Sequence, residues 1–321
     1  MTSTIYIILL IFLIIVYYII QYNKEHYNKE HFKTSNAFSF IDNDELLLPE
    51  NFGDIMDYKE NFTTLPKEKT PRNIFTYWEG KIHPHIQLCF ETMKKHFGKY
   101  NFVILTPETI HNYLPNLNFD FSNLLIAQKV DYYRIALLYK FGGIWMDADT
   151  IVLKDLDEIF QKLDEGYDYA GFGCSLNVCF NGKGIPSNGV LASRKDSKLM
   201  ERCLNKLDNM LKTNDKNKKY DYFDFGKKII WESMEELKPY DYYHFPSEYD
   251  GTRDNKGIWV HSPNFLSEKP TTLINEDKAL FIMLANSEFV NHHKWFLELN
   301  KEQILNGKWW ISYLFRKGLS N

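Results

Sequence analysis

From Arg72 onward two hydrophobic rhythms alternate along the chain. Arg72 to Trp78 (RNIFTYW) is a short apolar run of strand type, and His83 to Gly98 follows it with Ile86, Cys89, Phe90, Met93 and Phe97 at helical spacing. Asn101 to Thr106 (NFVILT) predicts a second strand, stopped by Pro107, and PETIHNYL predicts a short helix with proline in its first turn. Leu124 to Gly143 predicts a longer helix closed by the Gly142-Gly143 pair, and Ile144 to Leu153 (IWMDADTIVL) predicts a third strand. Strand and helix in alternation predict an α/β sheet of Rossmann-like type, with a nucleotide-binding crevice at the strand ends.

The N-terminal part has a different pattern. Ile5 to Ile20 is apolar on every face and carries no charge, Gly or Pro, close to the roughly 20 residues a helix needs to span a bilayer. MTST lacks the basic start of a signal peptide, and bulky Tyr17, Tyr18, Ile19 and Ile20 close the run, so residues 1–21 are expected to be an uncleaved transmembrane anchor. The tandem YNKEHYNKEH opens a polar stem over 22–69, and 70–321 forms the globular domain. Lys24, Lys29 and Lys33 after the span place the domain on the cytoplasmic side by the charge rule. The Asn61-Phe62-Thr63 sequon supports the alternative, a Golgi or secretory lumen.

At 321 residues, 44% hydrophobic and 25% charged, the chain has enough apolar content for a real core. A net charge of -4 without a basic aromatic cluster excludes nucleic acid as a partner. The four cysteines show no zinc spacing and are expected to be buried and reduced; a Cys174–Cys179 bridge is the alternative tied to a lumenal domain.

Asp-x-Asp occurs three times, and only context separates the copies. Asp42/Asp44 falls in the stem, and Asp155/Asp157 falls at a helix start, where acids complement the dipole. Asp147 and Asp149 instead end an apolar strand, where alternation sends Trp145, Asp147 and Asp149 to one face. Two carboxylates there repel each other unless they share a cation, and oxygen donors suit Mg²⁺ or Mn²⁺, which would in turn neutralise a diphosphate. Asp131 and Arg134, three apart on the preceding helix, either form a local ion pair or face the crevice, with Arg134 on phosphate and Asp131 on sugar hydroxyls.

The run KVDYYRIALLYKFGGIWMDADTIVLKDL resembles the signature of Asp-x-Asp sugar transferases, notably capsular-polysaccharide-synthesis-type proteins and initiating mannosyltransferases and galactosyltransferases. NIFTYWEG resembles their first strand. The linked set is Trp78, Asp131, Arg134, Gly142, Gly143, Asp147 and Asp149.

This resemblance implies a GT-A fold and a metal-dependent glycosyltransferase of hexosyltransferase type, acting with retention on a UDP- or GDP-sugar donor and a glycan acceptor. It implies catalytic roles for Asp131, Arg134 and Asp149, and Trp78 near the base and Trp145 near the ribose. Asp147 and Asp149 would serve metal and diphosphate, and Asn188 the donor sugar. Asn291-His292-His293-Lys294-Trp295 resembles the late segment that supplies a further metal ligand, with His292 and His293 both open for that role and Lys294 for the diphosphate. Two other readings remain: a haloacid-dehalogenase-like phosphatase with Asp147 as nucleophile and Asp149 as acid/base, and a non-catalytic carbohydrate-binding protein.

Overall fold

The computed structural model describes residues 69–173, 186–213, 218–237, 242–254, 258–270 and 274–320, all within one compact unit, Pro49–Asn321. The expected anchor, the stem up to residue 68, the Asn61 sequon, Cys174 and Cys179 lie outside the described residues. Among the described residues no helix is long and apolar enough to cross a membrane.

The architecture is a mixed α/β fold around a six-stranded sheet. Its strands are β1 (Asn73–Tyr77), β2 (Asn101–Leu105), β3 (Gly143–Met146), β5 (Tyr169–Gly173), β6 (Pro186–Ser193) and β7 (Tyr242–His244), in the order β2-β1-β3-β6-β5-β7. β1 runs parallel to β2 and β3, β5 runs parallel to β7, and β6 lies antiparallel between β3 and β5. A central strand must be apolar on both sides, and β3 meets that demand. Ile144 and Met146 pack with Ile86, Phe90 and Met93 of the helix Pro84–His96. Trp145 packs on the other face with Val130, Tyr133 and Leu137 of the helix Ile126–Phe141. Each such side chain, fully withdrawn from water, contributes about 1.5–3 kcal/mol.

The glycine pair joining that helix to β3 is required by space as well as by turning. Gly143 has φ 110°, and a Cβ there would sit 2.3 Å from the Asn73 carbonyl oxygen of β1.

One expectation is corrected. Ile144–Leu153 is not a single strand: β3 stops at Met146, and Thr150–Val152 forms β4 in a separate two-stranded sheet with β8 (Phe281–Met283). The break coincides with Asp147–Asp149, because two carboxylates are not accommodated in a strand buried on both faces. The Asp147 N–H still bonds the Gly189 carbonyl at 2.8 Å, while the Asp149 carbonyl accepts from Leu284 at 2.9 Å. The two aspartates therefore bridge the main sheet and the small one. A third apolar cluster joins Leu88 and Cys89 to Ile151, Ile282 and the C-terminal helices through Phe289 and Phe315. Cys89 and Cys203 are buried free thiols.

Candidate active site

The helix Ile126–Phe141 places Asp131 and Arg134 on the side facing β3 and β6, and both are nearly inaccessible, 3% and 4% exposed. The Arg134 guanidinium lies 3.2 Å from Asp131 Oδ1 and 3.2 Å from Asp147 Oδ1, and also donates to the Asn188 carbonyl. Its carbon centre sits 5.2 Å from the Trp145 ring. The Asp131/Arg134 pair is therefore a local ion pair whose guanidinium also reaches Asp147 of the Asp-x-Asp turn.

Asn188 closes the ring of contacts, donating through Nδ2 to Asp131 Oδ1 at 2.9 Å. Behind it stands Gly226, where a Cβ would come 2.3 Å from Asn188 Nδ2 and 2.6 Å from Asp131 Oδ2. At Gly189 a Cβ would meet Met283 Sδ at 2.2 Å and Asp147 Oδ2 at 3.1 Å. Neither glycine belongs to the expected site, and only the Asn-Gly dipeptide at 188–189 marks one of them in the sequence. A side chain at Gly226 would collide with the Asn188 amide and the Asp131 carboxylate, and one at Gly189 with the Met283 sulfur.

Trp145 differs from expectation. It is fully buried, and its Nε1 donates to Asp147 Oδ1 at 2.8 Å, so the indole orients the aspartate and offers no ring face to a ribose. Trp78 is half-buried just beyond β1, with Nε1 directed to the Lys81 carbonyl at 3.3 Å. Asp147 keeps about a third of its side chain exposed (32%), so it lies at the open rim while Asp131 and Arg134 form the floor.

The charge balance is unequal: two carboxylates, Asp131 and Asp147, lie against one guanidinium, and Asp149 follows two residues on. Removal from water pushes Asp131 up to about 6, with Arg134 pulling the other way. Asp149 is raised to about 6 by the same cause and by the charge of Asp147. Asp147 is raised by its surroundings against the pull of Arg134 and the Trp145 hydrogen bond. Lys227, which opens the helix Lys227–Glu236 beside Gly226, is pushed down to about 8 by burial and Arg253, with Asp131 opposing.

Asp147 and Asp149 fit a divalent ion of the Mg²⁺ or Mn²⁺ kind, which commonly takes one or two carboxylates and completes its shell with water and substrate phosphate. The expected histidine ligand is not assembled with them. Among the described residues no group of three or more His, Cys, Asp and Glu side chains is placed to hold a metal. His292 is exposed, and the His293 ring meets Ser262 Oγ at 3.0 Å through Nε2. Lys294 is exposed as well. The helix Asn286–His292 presents its first residue to the site: the Asn286 N–H donates to Asp149 Oδ2 at 2.6 Å. The phosphatase reading needs a lysine beside Asp147, whereas Asp147 is ion-paired with Arg134.

The model of the capsular polysaccharide synthesis protein family matches residues 47–246. No curated protein matches the chain. Among solved structures, it is similar to the PaToxG glycosyltransferase at 15% identity, covering 78% of this chain and 87% of that one with a TM-score of 0.39. It is also similar to a glycosyltransferase involved in glycosylating the major capsid of PBCV-1, at 16% identity over 71% of this chain and 98% of the other, TM-score 0.45. The WbbM bifunctional enzyme is similar at 15% identity over 80% of this chain and 51% of its own length, TM-score 0.43.

Proposed function

This chain belongs to the capsular polysaccharide synthesis protein family, and on that premise we propose that it is a metal-dependent glycosyltransferase of hexosyltransferase type, moving a sugar with retention from a UDP- or GDP-sugar to a glycan acceptor. The proposal includes a GT-A-type arrangement, in which the donor lies over the ends of β1 and β3, and a tether to the membrane by residues 5–20 with the domain on the cytoplasmic side.

The observation that carries the reading is the cluster in which Arg134 meets Asp131, Asp147 and the Asn188 carbonyl while Asn188 donates to Asp131, with Asp149 two residues beyond Asp147. Glycosyl transfer breaks a bond to a diphosphate, so negative charge grows on the departing oxygen and must be met by fixed positive charge. A Mn²⁺ or Mg²⁺ ion, when bound, supplies that charge, and Asp147 and Asp149 would hold it.

The chain's own residues do the rest. Arg134 keeps Asp131 and Asp147 at fixed separation and offsets part of their repulsion. Trp145 fixes which oxygen of Asp147 faces inward. Asp131, held by Asn188 and Arg134, is a rigid acceptor for donor-sugar hydroxyls, and Lys227 adds positive charge near it. Arrangements of this kind are set before substrate arrives, so no reorganisation is required during the reaction.

The test is to incubate the purified full chain with a panel of UDP- and GDP-sugars and Mn²⁺, with and without EDTA. Metal-dependent donor hydrolysis or transfer supports the proposal. Release of phosphate from simple phosphate esters, with no turnover of any nucleotide sugar, overturns it.

A further inference from the structure

Ala285 is one of two described non-glycine residues with positive φ, at φ 52° and ψ 69°, and it stands between β8 and the helix Asn286–His292. A left-handed alanine costs on the order of 1 kcal/mol or more and persists only where its surroundings hold it. Here the turn has a visible product. It directs the Asn286 N–H onto Asp149 Oδ2 at 2.6 Å, while the preceding Leu284 N–H bonds the Asp149 carbonyl at 2.9 Å.

Against the turn stands His85, at the start of the helix Pro84–His96. Its ring is completely buried, and Nε2 lies 3.0 Å from Asn286 Oδ1. An amide oxygen only accepts, so the ring donates through Nε2 and Nδ1 is the unprotonated nitrogen; Nδ1 is buried without a hydrogen-bond partner. Phe289 stacks on the ring at 5.6 Å and Phe296 lies 5.7 Å away, which fixes its plane. Burial lowers its pKa to about 4, so the ring stays neutral at physiological pH and the tautomer does not change. A buried imidazole with one nitrogen unsatisfied is costly as packing alone, and a phenyl ring would fill the same aromatic stack without that cost.

We propose that His85 is a positioning residue for the metal site: acting through the Asn286 side chain, it holds the strained Ala285 turn so that the Asn286 backbone N–H locks the orientation of Asp149. The inference rests on the metal-site reading above. In this arrangement Asp149 Oδ2 is fixed by the Asn286 N–H, and the remaining lone pairs of the carboxylate would meet the ion. Partners that orient a ligating carboxylate typically change metal affinity by about 10–100-fold when removed.

The experiment measures Mn²⁺ binding by electron paramagnetic resonance on the full chain in the presence of UDP or GDP, together with the melting temperature. The variants are His85→Phe, His85→Gln, Asn286→Ala, the double variant His85→Phe/Asn286→Ala, and Asp149→Asn. His85→Phe keeps the ring and loses the donor, so Mn²⁺ affinity is expected to fall about tenfold. His85→Gln restores an N–H near the Nε2 position and is expected to recover affinity to within about threefold. Asn286→Ala should match His85→Phe, and the double variant should be no weaker than either single change, because both break one chain of contacts.

Should His85→Phe fail to fold, Asn286→Ala alone decides, since Asn286 is only half-buried. Unchanged Mn²⁺ affinity in a folded His85→Phe or Asn286→Ala, with Asp149→Asn abolishing binding, overturns the positioning role and leaves the metal site standing. If the unaltered chain binds no Mn²⁺ with either nucleotide, the metal reading itself fails.

Discussion

Trp145 Nε1 donates to Asp147 Oδ1 at 2.8 Å from a ring that is itself completely buried, so a core residue sets the orientation of a rim carboxylate. Trp145→Phe would remove that donor and leave part of the indole volume empty. Hydrogen bonds to charged groups contribute about 1.5–3 kcal/mol, and the residual space adds to the loss. We expect donor turnover to fall at least tenfold with a clearly lower melting temperature, measured by nucleotide-sugar hydrolysis and thermal unfolding.

Arg134 is a demanding position for stability. It is 4% exposed and lies against two carboxylates, so Arg134→Met leaves both without their cation. Removing one partner of a buried ion pair typically costs about 3–5 kcal/mol. Arg134→Met is therefore expected to lower the midpoint of chemical denaturation more than Asp131→Asn does. Part of the loss should be recovered at pH 5, where the orphaned carboxylates take up protons.

Gly226→Ala tests the close approach behind Asn188. The added carbon would meet Asn188 Nδ2 and Asp131 Oδ2 at 2.3 and 2.6 Å, and the helix behind it leaves the backbone little room to move. Overpacking of this kind costs about 1–3 kcal/mol. Because the displaced groups belong to the site, turnover is expected to suffer more than folding, by about tenfold or more. A melting curve run beside the hydrolysis assay separates the two effects.

The raised pKa of Asp131 gives a pH dependence with a definite sign. Its carboxyl titrates near 6 in the folded chain and near the ordinary Asp value when unfolded, so the folded state binds the proton more tightly. Its contribution to stability is fully present below the unfolded value and is lost as pH rises through about 6. In EDTA, the melting temperature of the unaltered chain should therefore decline between about pH 4 and 6 relative to Asp131→Asn, which lacks this titration. A variant with the same pH slope as the parent would contradict the assignment.

Asp149→Asn removes half of the expected ion site while keeping the shape of the side chain. Mn²⁺-stimulated donor turnover is expected to disappear, and the melting temperature in EDTA should hold or rise, since one of two repelling carboxylates has become neutral. Near-normal turnover in Asp149→Asn would remove the aspartate from the metal site.

Much of this protein is set by local pattern. Helical spacing of Ile86, Cys89, Phe90 and Met93 places the helix Pro84–His96, because burying one face requires that period. The two β-type runs at 72–78 and 101–106 and the glycine pair at 142–143 likewise follow from chain-local constraints. Asp131, Arg134, Asp147 and Asp149 are legible too, since three-residue helical spacing and a polar turn at a strand end are features of neighbouring residues.

What tertiary structure decided are the contacts made across sequence distance. β4 left the main sheet because its partner, β8, lies more than a hundred residues downstream, and pairing of that kind has no local signature. The same reason hid Asn286, Gly226 and His85: each matters through a neighbour supplied by a distant segment, and none carries a motif of its own. The residues that bear charge were written in the sequence, whereas the packing that orients them exists only once the chain has closed on itself.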